Sequence, residues 1–294
     1  MSMDIIIIGA GPAGIQAAIH AARTKVSVMV LGKAEDSAMY GAHVENYFAV
    51  PGKADGKDML NVGMSQVKAF GAEHLEENVI SMERSGGMFK VTTEGGSSFT
   101  SKAVILASGV SRKKLNVPGE KEFFGKGVSY CAACDCNFYK GKKVAIVGDG
   151  SEAAASAELM TAYASSVFWI TKDTRTSGVM IAKAKDAGVE MIGETLIAIT
   201  GDGKVTGINL SGGSALDVDG VFIELGARSS SDLAMDVDVM PKADGTIDVD
   251  ERCGTSVDGV FACGDITGRP WQIAKAVGEG SIAGMNASEY VKKV

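Results

Sequence analysis

Apolar residues fall along this chain in short blocks, and the blocks end at glycine turns. Asp4 to Ile8 places four isoleucines behind one acid, a β-branched run that predicts a buried strand. Gly9-Ala10-Gly11-Pro12-Ala13-Gly14 follows. Ile15, Ala18, Ile19 and Ala22 then recur at helical spacing, and Val26 to Leu31 returns to a strand pattern. The same order comes back in "KKVAIVGDGSEAAASAELMTAYASSVFWI": a strand, Gly148-x-Gly150-x-x-Ala153, an alanine-rich helix and another strand. Two such openings predict two doubly wound domains, each with a crevice of the nucleotide-binding type.

Between them, Ala103 to Gly109 ("AVILASG") reads as a strand ending in a close backbone approach. "RKKLNVPGE" carries Pro118-Gly119 and reads as a connector. Near the C-terminus "DGVFACGDITG" is one more strand, ending in Gly264-Asp265 and followed by the helix-like "QIAKAVGEGSIAGMNASEYVKK". That strand lies beyond the second unit, after the Pro241 and Gly245 break. The expected fold is therefore α/β, with two Rossmann-like three-layer domains, the second inserted into the first. The expected bounds are 1–113 with 244–294 for the discontinuous domain and 114–243 for the insert, the two connectors forming a hinge.

Composition narrows the picture. The 294 residues suffice for two α/β cores, and 38 glycines against five prolines fit tight strand-to-helix turns. A net charge of −7 argues against nucleic-acid binding. The start lacks the basic region of a signal peptide, and no apolar run approaches a membrane span. Five cysteines, unevenly placed, do not make a secreted disulfide scaffold. The expectation is a soluble cytoplasmic protein.

Two stretches carry chemistry. In Gly9-x-Gly11-x-x-Gly14 the first glycine allows the turn, the second admits a pyrophosphate and the third lets helix and strand pack closely. No acid stands at the end of the second strand, where Leu31-Gly32-Lys33 occurs and Glu35 and Asp36 come slightly late. The other stretch is "CAACDC", three cysteines within six residues. Two cysteines at this spacing serve as a redox dithiol, half a zinc site or part of an iron–sulfur site.

Taken in order, "IIIIGAGPAG", "VENY" (Val44 to Tyr47), "ILASG", "CAACD", "VAIVGDGSEAA", "VDGVFACGDITG" and "WQIAKAVGEG" resemble the low-molecular-weight thioredoxin reductases nearly end to end. These have the class II pyridine nucleotide-disulfide oxidoreductase fold. The resemblance implies that the split domain holds FAD and the insert is of the pyridine-nucleotide type. Gly9, Gly11, Pro12 and Ala13 would wrap the FAD pyrophosphate, Asn46 would lie near the isoalloxazine, and Asp265 would bind a ribityl hydroxyl. Gln272 and Ile273 would meet the pyrimidine edge of the ring. Gly14, Gly32, Lys33, Val79, Ala107, Ser108, Gly109 and Gly264 complete the implied cofactor set.

On the same resemblance Cys131 and Cys134 form the redox dithiol, with Cys131 the exchange thiol, Cys134 the flavin-facing one and Asp135 the acid–base group. Cys136 departs from the family pattern and reads as a third thiol in reach or as a small core residue, the second reading being favoured. No metal site is expected: Cys253 and Cys263 are isolated, and His20, His43 and His74 are scattered.

The electron source is less conventional. The NADPH-using members carry a His-Arg-Arg cluster after the strand that follows the second glycine turn. Here the strand leads into Thr171-Lys172-Asp173-Thr174-Arg175-Thr176-Ser177, and "ARSSSD" replaces the usual proline-containing loop after "ELG". Lys172 and Arg175 would give some attraction, but Asp173 places a carboxylate near a phosphate. These departures are similar to the ferredoxin-dependent flavin thioredoxin reductases, and somewhat to deazaflavin-dependent archaeal relatives. Ferredoxin is thus the favoured donor, docking through Arg112, Lys113 and Lys114 or through Lys140, Lys142 and Lys143. A thioredoxin-like protein is the expected acceptor, and a homodimer the expected assembly. The alternatives are an NADPH- or NADH-dependent reductase, a dithiol oxidase and a redox sensor that does not turn over.

Overall fold

The computed structural model describes residues 1–110, 114–225, 230–242 and 244–294. The chain divides into two compact units, Met1–Ser111 with Arg228–Val294, and Arg112–Ala227. Arg112 and Lys113, expected in a basic patch, lie outside the described residues, as does the 226–229 stretch within the "ELGARSSSD" loop.

In the first unit, Ser2–Ile8 runs parallel between Val28–Leu31 and Ser98–Leu106, and Glu73–Leu75 extends the sheet beyond Val28–Leu31. Ser98–Leu106 pairs antiparallel with Met88–Thr93 through its first half and parallel with Val260–Ala262 through its last residues. Val79–Ser85 closes the antiparallel arm. The isoleucine run explains both faces, because successive side chains of a strand point oppositely. Ile5 and Ile7 enter a core with the helices Pro12–Ala22, Gly56–Ala69 and Ile273–Val291. Ile6 and Ile8 enter a second core with Met82, Phe89 and Val91 from the antiparallel arm. Each fully buried isoleucine stabilises the fold by about 1.5–3 kcal/mol.

The second boundary differs from the sequence expectation at 243/244. Residues 230–239 belong to the first unit: Leu233, Ala234, Val237 and Val239 join the core of Ile6 and Ile8. Asp236 Oδ2 accepts the Met82 N–H at 3.0 Å, and Ser230 Oγ accepts the Ser108 N–H at 3.2 Å. Pro241 follows these residues and Ile247 joins the same core beyond it, so the proline lies within the first unit.

The second unit has a five-stranded parallel sheet in the order Glu190–Ile192, Ser166–Ile170, Lys143–Val147, Gly220–Ile223, Val128–Ser129. A three-stranded antiparallel sheet, Leu196–Asp202, Lys204–Leu210 and Ala215–Asp217, accompanies it. Ile199, Val205 and Ile208 from that sheet share a core with Ala145, Val147 and Val221. Trp169 is fully buried and donates its indole N–H to Gly148 O at 2.8 Å, tying the central strands to the second glycine turn.

Candidate active site

The first glycine turn sits at the C-terminal ends of the parallel strands, where α/β folds place ligands. Gly9 has φ +117°, and a Cβ there would come within 2.5 Å of Ala107 O, so the turn lies directly against Ala107-Ser108. A Cβ on Gly14 would come within 1.9 Å of Gly9 O. Gly11 differs: its backbone is extended (φ −87°, ψ −177°), and a Cβ there would meet only Ser37, no nearer than 3.3 Å. Gly9 and Gly14 are demanded by the fold; Gly11 leaves the backbone open to an incoming group. The helix Pro12–Ala22 begins here with no acid in its first turn and no capping side chain, so its first N–H groups suit a pyrophosphate.

The neighbouring residues gather around this turn. A Cβ on Gly32 would lie 3.2 Å from Ala10 N. Lys33 Nζ pairs with the buried Glu94 at 2.6 Å, and Glu94 also accepts the Asn78 N–H at 3.2 Å. Asn78 donates to Asp36 Oδ2 at 3.2 Å. The Val79 side chain is committed to the core, and Val79 pairs with Thr93 in the antiparallel arm. A Cβ on Gly264 would meet Ala13 Cβ at 2.8 Å, so Asp265 stands beside the start of the first helix. Burial pushes the Asp265 carboxyl up, Lys275 partly offsets this and Glu279 adds to it.

Lys275 Nζ donates to Gly264 O at 2.8 Å, Thr267 Oγ1 at 2.7 Å and Glu279 Oε2 at 3.0 Å, and Glu279 accepts the Gly264 N–H at 2.9 Å. This network fixes the Gly264-Asp265 turn. Asn46 and Gln272, far apart in sequence, meet through an Asn46 Nδ2–Gln272 Oε1 hydrogen bond of 3.1 Å, and Ile273 begins the last helix next to them. Gly109 ends the Ala107–Gly109 segment at φ +72° with no neighbour near its missing Cβ. An acid-free helix start with an open Gly11 fits the pyrophosphate of FAD.

In the second unit Cys131 and Cys134 are joined by a disulfide, S–S 2.09 Å and Cα–Cα 5.4 Å. The strand Val128–Ser129 delivers Cys131 to the N-cap of the short helix Ala132–Asp135. Ser129 Oγ accepts the Cys131 N–H at 3.1 Å, and Cys131 Sγ accepts the Cys134 N–H at 3.2 Å. The buried Glu224 accepts the Ala132 N–H at 2.8 Å. Cys131 is 4% exposed, whereas Cys134 is exposed. Asp135 follows at the end of the helix, half-exposed. Cys136 is a buried free thiol that donates to Ala133 O at 3.6 Å, consistent with a core residue. Just before the pair, Tyr130 donates to Glu120 at 2.8 Å; burial and that carboxylate push its phenol up.

The second glycine turn keeps its shape and carries an ion pair and a second carboxylate. A Cβ on Gly148 would come within 2.0 Å of Glu224 O, and Gly150 is the extended N-cap of the helix Ser151–Met160. Arg175 folds onto the turn. Its Nε donates to Asp149 Oδ2 at 2.7 Å, its Nη2 to Asp149 Oδ1 at 3.3 Å and its backbone N–H to Asp149 O at 2.6 Å. Glu152 stands in the first turn of the helix. Carboxylates thus flank Gly150, and the arginine expected to attract a phosphate is occupied by one of them. Lys172 and Asp173 are both exposed after the strand Ser166–Ile170.

Sequence reasoning missed Glu224, Glu94, Asn78, Lys275 and Glu279. Glu224 stood at the end of an apolar run inside "IELG", which is the one local signal that could have marked it. Among the described residues no helix is long and apolar enough to cross a membrane.

Two glycine-turn folds, one with a turn open to a pyrophosphate and the other carrying a closed Cys-x-x-Cys disulfide, define a nucleotide-cofactor disulfide oxidoreductase. The pyridine nucleotide-disulphide oxidoreductase family matches residues 3–280. A thioredoxin reductase of Aquifex aeolicus (strain VF5) is 39% identical over 275 residues, covering 90% of this chain and 85% of its own length. The crystal structure of the atypical thioredoxin reductase from Desulfovibrio vulgaris Hildenborough is similar with a TM-score of 0.81 at 32% identity, covering 99% of this chain and 98% of that one. A ferredoxin-flavin thioredoxin reductase from Clostridium acetobutylicum gives a TM-score of 0.66 at 32% identity, covering 100% and 99%. The chain belongs to the low-molecular-weight thioredoxin reductase family of the pyridine nucleotide-disulphide oxidoreductases. It is a flavin disulfide oxidoreductase, and its family cofactor is FAD.

Proposed function

We propose that the protein reduces the disulfide of a thioredoxin-like partner with electrons drawn from reduced ferredoxin, not from a pyridine nucleotide. The observation that carries the donor reading is the Asp149–Arg175 pair inside the second glycine turn. A nucleotide pyrophosphate placed there would meet the carboxylate of Asp149, a like-charge contact costing roughly 1–3 kcal/mol at about 5 Å. Swinging Arg175 over to a phosphate costs up to about 1 kcal/mol for an exposed ion pair and leaves the Asp149 carboxylate without that arginine beside the ligand. The ferredoxin-flavin enzyme of Clostridium acetobutylicum, similar over the whole chain, supports the reading. So does the exposure of Lys140, Lys142 and Lys143, a local basic surface suited to an acidic carrier.

When bound, FAD would supply the electron pair that the disulfide takes up. Gly11 and the first helix would hold its pyrophosphate, Asp265 its ribityl chain, and Asn46, Gln272 and Ile273 its ring. Two electrons break the Cys131–Cys134 bond, and Asp135 relays protons to and from the leaving thiol. The Cys131 thiolate, held by the Cys134 N–H, attacks the partner disulfide and forms a mixed disulfide. Cys134 then displaces the reduced partner and restores the disulfide. Assembly as a homodimer is part of the proposal, supported by family resemblance and testable by sedimentation.

The experiment is anaerobic mixing of the oxidised holoenzyme with reduced ferredoxin, NADPH or NADH while the flavin absorbance is followed. Ferredoxin should bleach the flavin quickly and micromolar NADPH should not. Fast bleaching by NADPH would return the protein to the pyridine-nucleotide reading, which the preserved shape of the Gly148–Gly150 turn favours.

A further inference from the structure

Tyr130, bonded directly to Cys131, belongs to a surface of the second unit that the redox chemistry leaves unassigned. Its ring is held twice. The phenol donates to Glu120 Oε1 at 2.8 Å, and Phe124 packs on the ring with centroids 5.5 Å apart and planes tilted by 47°. Glu120 is buried, and its carboxylate also accepts the Leu115, Asn116 and Val117 N–H groups at 3.0, 2.5 and 3.3 Å. One carboxylate thus gathers three residues of the connector and the phenol around itself.

Phe124 is 59% exposed, which for a lone phenylalanine on a surface needs no explanation. Its backbone sets it apart. The Lys126 and Val128 N–H groups both donate to Phe123 O, at 2.8 and 3.0 Å, and the Gly125 N–H donates to Val128 O at 3.0 Å. The Val205 N–H donates to Lys126 O at 2.9 Å, and a Cβ on Gly127 (φ +119°) would come within 2.6 Å of the Val205 side chain. A loop closed this tightly fixes the exposed ring, so covering the ring with a partner costs little ordering entropy. Exposed, preorganised aromatics of this kind make the anchors of protein–protein contacts.

Position supplies the partner. Any protein that exchanges disulfides with this pair must bring its own sulfur to bonding distance of Cys131 or Cys134. A standard footprint of about 800 Å² per partner is a disc of roughly 16 Å radius. Phe124 stands one ring contact from the residue next to Cys131, within that reach. We infer that the Phe124–Tyr130 platform is a docking anchor for the thioredoxin-like acceptor and takes an apolar patch beside that protein's disulfide. This rests on the acceptor reading above and not on the identity of the electron donor.

The test takes the donor out of the question. Holoenzyme is reduced anaerobically with stoichiometric dithionite, then mixed with oxidised thioredoxin or with hydroxyethyl disulfide, a probe too small to dock on the platform. Acid quenching and mass-tagging read the thiols formed. Phe124→Ala should lower the second-order rate constant for thioredoxin about tenfold, a loss of about 1.4 kcal/mol, and leave that for hydroxyethyl disulfide within about twofold. Phe124→Tyr keeps the ring and should stay within about threefold of wild type on both. A thioredoxin rate within about twofold of wild type in Phe124→Ala, or an equal fall on both substrates, would overturn the inference. So would a wild-type dimer that sediments as a monomer in Phe124→Ala, which would assign the ring to a second copy of the chain. A wild-type enzyme that reduces hydroxyethyl disulfide but not thioredoxin would instead overturn the acceptor reading, and the platform's role with it.

Discussion

Gly11 and Gly14 look alike in the motif, yet the structure gives them different duties, and substitution by alanine separates these. At Gly14 the new methyl would lie 1.9 Å from Gly9 O and 3.1 Å from Gly9 C, both backbone atoms. Relief requires the first helix to move by an ångström or more. That helix is itself clamped by the last one, because a Cβ on Gly280 would meet Ala13 O at 2.3 Å and one on Gly284 would meet Ala17 O at 2.4 Å. Overpacking of this kind costs about 1–3 kcal/mol. At roughly 2–4 °C per kcal/mol, Gly14→Ala should lower the melting temperature of the FAD-free protein by several degrees.

At Gly11 the backbone is one any residue adopts, and the methyl would touch only Ser37 Oγ at 3.3 Å. The FAD-free protein should melt within about 2 °C of wild type, since a strain-free surface change stays within about 0.5 kcal/mol. FAD affinity should nevertheless fall tenfold or more, about 1.4 kcal/mol or more, because the methyl occupies the path of the pyrophosphate. Thermal melts of the FAD-free proteins and a flavin-fluorescence titration read the two quantities separately. Wild-type FAD affinity in Gly11→Ala, or an unchanged melt in Gly14→Ala, would refute this division of labour.

Other expected outcomes follow from the same geometry. Cys134→Ser should keep its FAD but lose turnover, and with an oxidised thioredoxin it should accumulate a mixed disulfide through Cys131; mass spectrometry of the adduct identifies the sulfur. Asp149→Ser removes a carboxylate from the second glycine turn and releases Arg175, so millimolar NADPH should bleach the flavin at least tenfold faster than in wild type. Burial raises the Asp265 pKa in the folded state, so the native protein binds more protons than the unfolded chain above about pH 3.8, and stability falls as pH rises through that window. Asp265→Asn should therefore stabilise the FAD-free protein at neutral pH, by an amount that shrinks as the pH falls towards 4, while weakening FAD binding; melts across pH check the sign.

Much of the architecture was legible because the isoleucine run and the two glycine turns are local patterns tied to strand and helix periods. The first turn was legible for the same reason, whereas the Cys131–Cys134 pair was legible only through the ordered motifs that resemble the family. What stayed hidden depends on distant residues meeting. Arg175 reads as a phosphate ligand until the fold sets it on Asp149. Glu224 reads as the polar end of a strand until the sheet order places Gly220–Ile223 beside Val128–Ser129, which leads into the redox helix. The second unit boundary was misplaced because Leu233, Val237 and Val239 form too short an apolar set to show a period, and Pro241 is a more visible break. Exposure of Cys134 over Cys131 is likewise a property of the fold and not of the motif.

The most direct measurement is the rate at which the holoenzyme, supplied with reduced ferredoxin under anaerobic conditions, converts oxidised thioredoxin to the dithiol form. Turnover should be steady with ferredoxin, negligible with NADPH, and absent in Cys134→Ser despite full FAD occupancy. Thioredoxin reduction that persists in Cys134→Ser, or that runs on NADPH and not on ferredoxin, would contradict the ferredoxin-fed dithiol mechanism.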